Sequence, residues 1–392
     1  MRLLHTSDWH LGSSLNNHSR KDEMEAFFSF LRKTIIDRNI DTLIIAGDIY
    51  DTMNPNNEAE TMYYSFLASI LDTPCSDIIV IAGNHDSPSK LVSSSPILKK
   101  LHVHVFSSVK DLEPLILENK AIILPVSFPR DQEIRSIKEG ESTDDSEDRV
   151  KKNIASLYSS LVEKARSLNK NLPIIATGHL AVENAVLGEE KKNDLYIGGL
   201  GVVSSSIFSP FISYTALGHI HKSQSLNSNN TIRYSGSPIP MSFGEVGYKK
   251  TITYVEIEEK VKVEEIEIPI FRNLYSLKGE VKEIKESLIK MKNEKKEGWI
   301  SISLDGESSP LFKDEIEEIL KDTNLKVLVV KYLSIKKKIE EKEKLVVSLN
   351  EVSELDVFKM LLNEKNIEEG KDDLIELFES VVNELRIEKN EN

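Results

Sequence analysis

The chain has 392 residues, 40% of them hydrophobic, which is enough for more than one domain with a sizeable core. Its formal net charge of −14 argues against a protein that grips duplex nucleic acid by surface charge alone, although metal ions or a partner could offset the charge locally. The single cysteine excludes intrachain disulfides and thiolate metal clusters, and without a long apolar run or a signal peptide we expect a cytoplasmic protein with no membrane association.

Residues 1–271 alternate predicted strands and helices. Apolar residues at helical spacing predict helices at 20–38, 57–71 and 150–168, and short aliphatic runs predict strands that begin near residues 3, 42, 78, 103, 121, 174 and 214. The acidic and serine-rich residues 131–149 predict a solvated, disordered loop. After residue 231 the period is that of strands, including 251–257 and 262–268, which we expect to form the second sheet of a sandwich flanked by helices.

The composition becomes charge-dense after residue 271. Strands at 299–304 and 326–333, with helices near 281–291 and 309–320, predict a small α/β domain over residues 272–335. Residues 336–348 are rich in lysine and glutamate and are typical of a linker. Residues 349–392 predict two amphipathic helices, with Leu355 and Phe358 on the first apolar stripe and Leu374 and Phe378 on the second.

Five predicted strands end in residues that can bind metal ions. In chain order, these strand ends carry Asp8 and His10, Asp48, Asn84 and His85, His179, and finally His219 and His221. Ligands of open α/β sheets bind beyond the carboxyl ends of the strands, so these side chains could converge. Mixed carboxylate and imidazole ligands suit manganese, iron or zinc, and two such ions can activate water and stabilise in-line displacement at phosphorus. The sequence therefore predicts a two-metal centre with Asp48 as the shared carboxylate.

Each of these residues has a plainer explanation when it is taken alone. A strand-end aspartate is usually a turn residue or a helix cap, and a single histidine is usually a satisfied polar group. However, five of the nine histidines fall within four strand-end motifs, which chance explains poorly. The other four, His5, His18, His102 and His104, are left unassigned, since the pattern pairs neither His102 nor His104 with a carboxylate.

The residues of these motifs resemble the sequence signature of a known family. Asp8-Trp-His10, Gly47-Asp48-Ile-Tyr-Asp51, Gly83-Asn-His-Asp86, Gly178-His179 and Gly218-His219-Ile-His221 resemble, in order and complete, the signature of calcineurin-like metallophosphoesterases. The segments at residues 1–12, 216–221 and 232–240 resemble more specifically the SbcD family of bacterial nucleases. The resemblance spans the chain and is strongest up to about residue 256.

This resemblance implies an α/β (α+β sandwich) fold: a metallophosphoesterase core of two packed mixed sheets flanked by helices, over residues 1–271. Residues 272–335 would form a DNA-recognition capping domain. By motif, one ion would be held by Asp8, His10, Asp48 and His221, and the other by Asp48, Asn84, His179 and His219. His85 would match the general acid of the family, a role that suits imidazole in general because the unperturbed pKa of imidazole lies near operating pH. Asp86 could orient His85 or be a turn carboxylate, and Asp51, which replaces a histidine of archaeal and eukaryotic relatives, has no assigned role.

The resemblance also implies partners. The C-terminal helices would grip an SbcC-like coiled-coil ATPase in the helix-in-groove mode, while the alternative is that their apolar stripes pack within this chain. DNA would be the substrate, and a homodimer is expected from the resemblance alone. No glycine-rich phosphate-binding loop with its lysine is present in the sequence, so ATP hydrolysis would come from the partner.

The predicted function is a hydrolase that uses two divalent metal ions, Mn²⁺ by preference, with Mg²⁺ as a partial substitute. It would act as a 3′–5′ exonuclease on duplex ends and as an endonuclease on single strands and hairpins, in DNA repair and recombination. The first alternative is a phosphoesterase of small or protein substrates with the same metal centre, which would not need the last two domains. The second alternative is a non-catalytic scaffold that binds DNA ends.

Overall fold

The computed structural model describes residues 1–134, 143–187, 201–305 and 311–333. The chain divides into two compact units. Among the described residues, the first comprises those within Met1–Ser276, Glu297–Ser301 and Asn324–Leu328, and the second comprises those within Leu277–Lys296 and Ile302–Thr323 together with residues 329–333. The predicted linker at 336–348 and the two predicted helices at 349–392 lie outside the described residues.

The first unit is built on two six-stranded sheets. In spatial order, the first sheet consists of β14 (Val261–Glu267), β13 (Thr251–Ile257), β1 (Arg2–Thr6), β4 (Thr42–Ala46), β5 (Asp77–Ile81) and β6 (Val103–Phe106). Strands β1, β4, β5 and β6 are parallel, whereas β13 pairs antiparallel with both β1 and β14. Every residue of β4 is buried, as expected for an aliphatic strand that is covered on both faces.

The second sheet is also mixed. In spatial order, it consists of β11 (Gln224–Ser225), β12 (Ile232–Tyr234), β10 (Ile212–Gly218), β9 (Ile174–His179), β8 (Ala121–Leu124) and β7 (Leu115–Leu117). Strands β8, β9, β10 and β12 are parallel to one another, and β7 and β11 are antiparallel to their neighbours. A short hairpin, β2 (Ser14–Leu15) and β3 (His18–Ser19), follows β1.

Helices cover the outer faces of the two sheets. They are α1 (Lys21–Asp37), α2 (Asn57–Ser69), α3 (Pro88–Ser93), α4 (Ser95–Leu98), α5 (Asp131–Ile134) and α6 (Thr143–Leu168). One apolar cluster joins α1 and α2 to the first sheet, a second joins α6 to the second sheet, and a third, which includes Ile44, Ile79 and Ile175, lies between the sheets. The predicted core of two packed mixed sheets flanked by helices is thereby confirmed.

Two local predictions are wrong. Strands β13 and β14 extend the first sheet rather than forming the second, because β13 pairs with β1, with Leu3 opposite Val255. An alternating pattern fixes which face of a strand is buried but not which strand it pairs with. In addition, residues 131–149 are not a continuous loop, since α5 occupies Asp131–Ile134 and α6 begins at Thr143 rather than Val150.

The second unit contains α7 (Val281–Asn293) and α8 (Phe312–Leu320). A capping box begins α7, where the Glu283 side chain accepts from the Glu280 amide at 3.0 Å, and Ile284 and Leu288 form its buried face. The third sheet has the order β15 (Leu274–Gly279), β16 (Gly298–Leu304) and β17 (Leu325–Tyr332). Within the described ranges, no helix has both the length and the apolar character that crossing a membrane requires.

Candidate metal centre

The predicted ligand residues come together at one end of the two sheets of the first unit, where the carboxyl ends of five strands meet. These strands are β1, β4 and β5 of the first sheet and β9 and β10 of the second. Hydrogen bonds join the sheets there. For example, the His219 amide donates to Asp8 Oδ1 at 2.9 Å, and His179 Nδ1 lies 2.9 Å from the Ala46 carbonyl oxygen. The side chains predicted from five distant segments therefore share one site.

The backbone at this end of the sheets is strained. Asp8, His10, Asp48 and His219 have φ angles of 53°, 45°, 48° and 97°, in the left-handed region that L-residues rarely adopt. Such conformations persist where the surrounding structure enforces them, and they concentrate at functional sites. Gly47, with φ of 89°, precedes Asp48, and a Cβ atom at Gly47 would collide with the His179 ring. The Gly-Asp pair thus lets the chain turn sharply beside the imidazole.

One group of ligand atoms surrounds His10. Its Nε2 lies 3.2 Å from Nε2 of His221 and 3.6 Å from Oδ2 of Asp48. Asp8, His10 and His221 each offer one ligand atom, and these atoms lie within 4.8 Å of one another. A divalent cation accepts lone pairs from facing imidazole nitrogens and carboxylate oxygens, so this donor set fits a borderline transition metal.

A second group of ligand atoms surrounds Asn84. Its Oδ1 lies 3.1 Å from Nε2 of His179 and 3.1 Å from Nδ1 of His219. Nε2 of His179 is also 3.3 Å from Oδ2 of Asp48. Because Nδ1 of His179 donates to the Ala46 carbonyl, Nε2 is the nitrogen that would bind an ion in this group. Burial opposes protonation of His179, but the carboxylates of Asp48 and Asp8 outweigh it and raise its pKa to about 9, so a bound metal ion would displace a proton from Nε2. Asp48 therefore lies between the two groups, as the shared-carboxylate prediction requires.

The electrostatics of the site favour bound cations. Burial acts to raise the pKa of Asp48, but the imidazoles of His179, His10 and His85 outweigh it and hold that pKa well below its usual value. Burial, followed by the neighbouring His179, lowers the pKa of His219 to about 3, so this imidazole is neutral and can act as a ligand at neutral pH. Asp8 and Asp48 are almost completely buried at 0% and 2% exposure, and buried carboxylates require compensating charge.

His85 lies beside the two groups in a different setting. Its amide donates to Oδ1 of Asp48 at 2.9 Å, and its Nδ1 lies 2.7 Å from the carbonyl oxygen of Asp51. The ring makes an edge contact with His10, with 4.9 Å between ring centroids. With Nδ1 committed to the carbonyl, Nε2 is the nitrogen that can exchange a proton with a bound substrate.

Asp86 fixes the loop that carries His85. Its two carboxylate oxygens accept from the backbone amides of Ile49 at 3.1 Å, Tyr50 at 3.0 Å and Gly83 at 2.8 Å. These bonds tie the segment after β4 to the segment after β5. Burial and the charge of Asp48 raise the pKa of Asp86, and the three amide donors oppose that rise. Asp86 is thus a buried brace between two loops rather than an ordinary solvated turn residue.

Three further residues contact the site but were not assigned from the sequence. Oδ1 of Asp51 lies 3.3 Å from Nδ1 of His10, and Oε1 of Glu245 lies 3.5 Å from Nδ1 of His221. Lys250 forms a buried ion pair with Glu245 and donates to the His221 carbonyl at 3.2 Å. The sequence could have indicated a role for Asp51, because Asp51 lies within one of the ligand motifs. No motif could have indicated Glu245 or Lys250, since both lie beyond the last one.

None of the four unassigned histidines belongs to the two groups of ligand atoms. His5 Nδ1 is 2.9 Å from the Tyr214 hydroxyl within the interior, and His18 Nδ1 is 2.8 Å from the Asn16 carbonyl oxygen. The expectation that no carboxylate accompanies His102 and His104 is wrong, because both imidazoles face Asp77. That pairing joins β5 to the segment before β6, two segments that are 25 residues apart in the chain.

Comparison with known proteins agrees with this geometry. Residues 1–223 match the family model described as calcineurin-like phosphoesterase, and residues 270–366 match one described as type 5 capsule protein repressor C-terminal domain. The chain is 32% identical to the SbcD component of nuclease SbcCD from Escherichia coli (strain K12), over 95% of both chains. The proteins of the same name from Rhodobacter capsulatus and Bacillus subtilis are each 31% identical. The first match covers 69% of both chains, and the second covers 65% of this chain and 66% of the relative.

Proposed function

The chain belongs to the calcineurin-like phosphoesterases and, among them, to the SbcD family, and on this premise we propose that it is a metal-dependent nuclease that hydrolyses phosphodiester bonds of DNA. The observation that carries the proposal is the convergence of Asp8, His10, Asp48, Asn84, His179, His219 and His221. His85 lies next to them, within 4.8 Å of ligand atoms of His10 and Asp51, and we propose that it is a proton donor rather than a ligand. The chain is accordingly a hydrolase of ester bonds.

We assign one divalent ion to Asp8, His10, Asp48 and His221, and the other to Asp48, Asn84, His179 and His219. The facing nitrogens of His10 and His221 and the contacts of Asn84 Oδ1 with two imidazoles support this division. When bound, the two ions would polarise the phosphate and lower the pKa of water at the site. Mn²⁺ suits the mixture of carboxylate, amide and imidazole donors, and Mg²⁺ would serve in part.

The protein itself supplies position and a proton. Asp48 and the Asp86 brace fix the loop after β5, so that His85 is held against the site by its amide and by the Asp51 carbonyl. We propose that Nε2 of His85 gives its proton to the leaving oxygen of the substrate. General acid catalysis of this kind contributes roughly 10²–10⁴-fold to the rate.

The finer activities and partners are proposed from the family. They comprise 3′–5′ exonuclease activity on duplex ends, endonuclease activity on single strands and hairpins, and cooperation with an SbcC-like coiled-coil ATPase through residues 349–392. Residues 272–335 would contact DNA as a capping domain, and the active form would be a homodimer. A partner that supplies basic surface would compensate for the net charge of −14 in this chain.

The test is an assay of the purified chain with Mn²⁺ on end-labelled hairpin DNA, with and without the ATPase, next to His85→Ala. We expect the wild type to cleave the hairpin and to act on duplex ends only with ATPase and ATP. His85→Ala should keep its metals and bind DNA but lose about a hundredfold or more in rate. Cleavage of small phosphodiesters but not of DNA would favour the first alternative, and DNA binding without cleavage would favour the scaffold.

A further inference from the structure

A second cluster of metal-binding side chains lies at the amino ends of strands β5 and β6, whereas the candidate metal centre lies at the carboxyl ends of the strands. Asp77 is the first residue of β5, whereas Asn84 follows its carboxyl end. His102 immediately precedes β6, and His104 is its second residue. In the parallel register, Ile78 lies opposite Val103 and Ile79 opposite His104, so Asp77, His102 and His104 share one face of the sheet.

One potential ligand atom from each of the three side chains lies close to the other two. Oδ1 of Asp77 lies 3.7 Å from Nε2 of His104 and 3.8 Å from Nδ1 of His102, and all three atoms lie within 4.8 Å of one another. Tetrahedral zinc with bonds of about 2.0–2.2 Å places its ligand atoms roughly 3.3–3.5 Å apart, so the two pairs that include Asp77 would need to close by only a few tenths of an ångström. The observed separations are too long for hydrogen bonds but close to those of a shared ion.

The surroundings prepare these atoms for an ion. The two oxygens of Asp77 have different partners: Oδ2 accepts from Lys120 Nζ at 2.7 Å and Ser76 Oγ at 2.9 Å, while Oδ1 faces the imidazoles. Lys120 and Ser76 thus hold the carboxylate in place without using its metal-facing oxygen. Nε2 of His104 is buried and makes no hydrogen bond to any residue in the described ranges. A buried polar atom of this kind calls for a partner.

His102 supplies the third ligand from a strained position. It ends the 3₁₀ turn Lys99–Leu101 in the left-handed conformation, with φ of 57°, and its side chain is 70% exposed. The exposed imidazole leaves one side of the cluster open to solvent, which provides an entry path and room for a water molecule as the fourth ligand. Two imidazoles and one carboxylate form a donor set that zinc commonly takes.

We propose that Asp77, His102 and His104 bind one Zn²⁺ ion at a site separate from the candidate metal centre. The ion would join β5 to the turn before β6 and so pin the edge strand of the first sheet. The ammonium of Lys120 on the same carboxylate moderates its affinity.

The test measures zinc per chain in the full-length protein after reconstitution and desalting. Compared with wild type, we expect one ion fewer per chain in His102→Gln and in His104→Gln, and no change in His18→Gln, a matched histidine outside both clusters. Zinc affinity at this site should fall at least about a hundredfold, because removal of even an outer partner of a ligand costs roughly 10–100-fold. His102 is exposed, so its variant should fold normally even if the variant of the partly buried His104 does not.

Location is checked by anomalous scattering at the zinc edge from crystals of the reconstituted chain. The proposal predicts a peak between Oδ1 of Asp77, Nδ1 of His102 and Nε2 of His104. It is overturned if no peak appears there, or if His102→Gln retains as much zinc as the wild type. Because the comparison counts a difference of one ion, its failure would leave the nuclease proposal untouched.

Discussion

The buried pair of Glu245 and Lys250 gives a sharp prediction about how the protein supports His221. The two side chains are 6% and 8% exposed and form an ion pair, while Oε1 of Glu245 lies 3.5 Å from Nδ1 of His221. Lys250 also donates to Ser237 Oγ at 2.7 Å and to the His221 carbonyl at 3.2 Å. Glu245 should therefore neutralise a buried ammonium and orient the imidazole of a proposed ligand.

Substituting Glu245→Gln should reduce both stability and metal affinity. Removal of one partner from a buried ion pair typically costs about 3–5 kcal/mol, because the other charge is left uncompensated. Glutamine keeps one acceptor oxygen, and Lys250 keeps its bonds to Ser237 and to the His221 carbonyl, so we expect a loss at the lower end of this range, about 3 kcal/mol. Loss of the carboxylate that contacts the Nδ1 atom of His221 should weaken binding of the ion assigned to this histidine by roughly 10–100-fold.

A double-mutant cycle separates the two effects. The free energy of unfolding would be measured by urea denaturation of metal-free protein for Glu245→Gln, Lys250→Met and the double variant, and metal affinity by calorimetry. Because the double variant removes both charges, it should lose less stability than the sum of the single losses, yet its metal affinity should stay low. Glu267→Gln, in the exposed pair with Lys249, is the control and should change stability by less than about 1 kcal/mol. Additive losses of stability, or unchanged metal affinity in Glu245→Gln, would refute the reasoning.

Three further predictions follow from described contacts or from the domain pattern. Asp86→Asn should lower the free energy of unfolding by about 3 kcal/mol, because the new amide nitrogen would face a backbone N–H donor. A loss of less than about 1 kcal/mol in urea denaturation would contradict the proposed role of Asp86 in joining the two loops. Burial opposes ionisation of Asp77, but His104, Lys120 and Ser76 outweigh it and lower its pKa, so its contribution to stability should be full above about pH 4 and decline on acidification. Urea denaturation of metal-free wild type and metal-free Asp77→Asn should show a difference in the free energy of unfolding that narrows from about pH 6 to about pH 3, and a difference that widens would contradict this prediction. Truncation after Leu345 should leave a folded, metal-dependent nuclease that no longer co-purifies with the ATPase in a pull-down, whereas a lowered melting temperature would favour self-packing of the last helices.

The sequence predicted most of the candidate site because its signal is local. Each proposed ligand follows a buried strand within a few residues, and parallel strands bring their carboxyl ends to the same edge. Gly47 could likewise be expected to permit the turn into Asp48. The strand order was less predictable, since the alternation in β13 is compatible with either sheet and only its pairing with β1 places it in the first.

Contacts that depend on register or on long loops were not predictable. Asp77 and His104 meet because β5 and β6 pair in one particular register. No sequence motif around either residue indicates that the other lies nearby. Glu245 reaches His221 through a turn that no motif marks, and Lys250 joins it from the start of β13. The interior position of His5 also required the second sheet, since its partner Tyr214 lies 209 residues away.

The central claim is that Asp48 links two metal ions that together support phosphodiester hydrolysis. The direct measurement is manganese content per chain, alongside the rate of hairpin cleavage, for wild type and Asp48→Ala. We predict that the wild type binds two ions and that its rate rises as the second ion binds, whereas Asp48→Ala loses metal and activity together. Two ions per chain in Asp48→Ala, or cleavage by the wild type in the presence of excess chelator, would contradict this account.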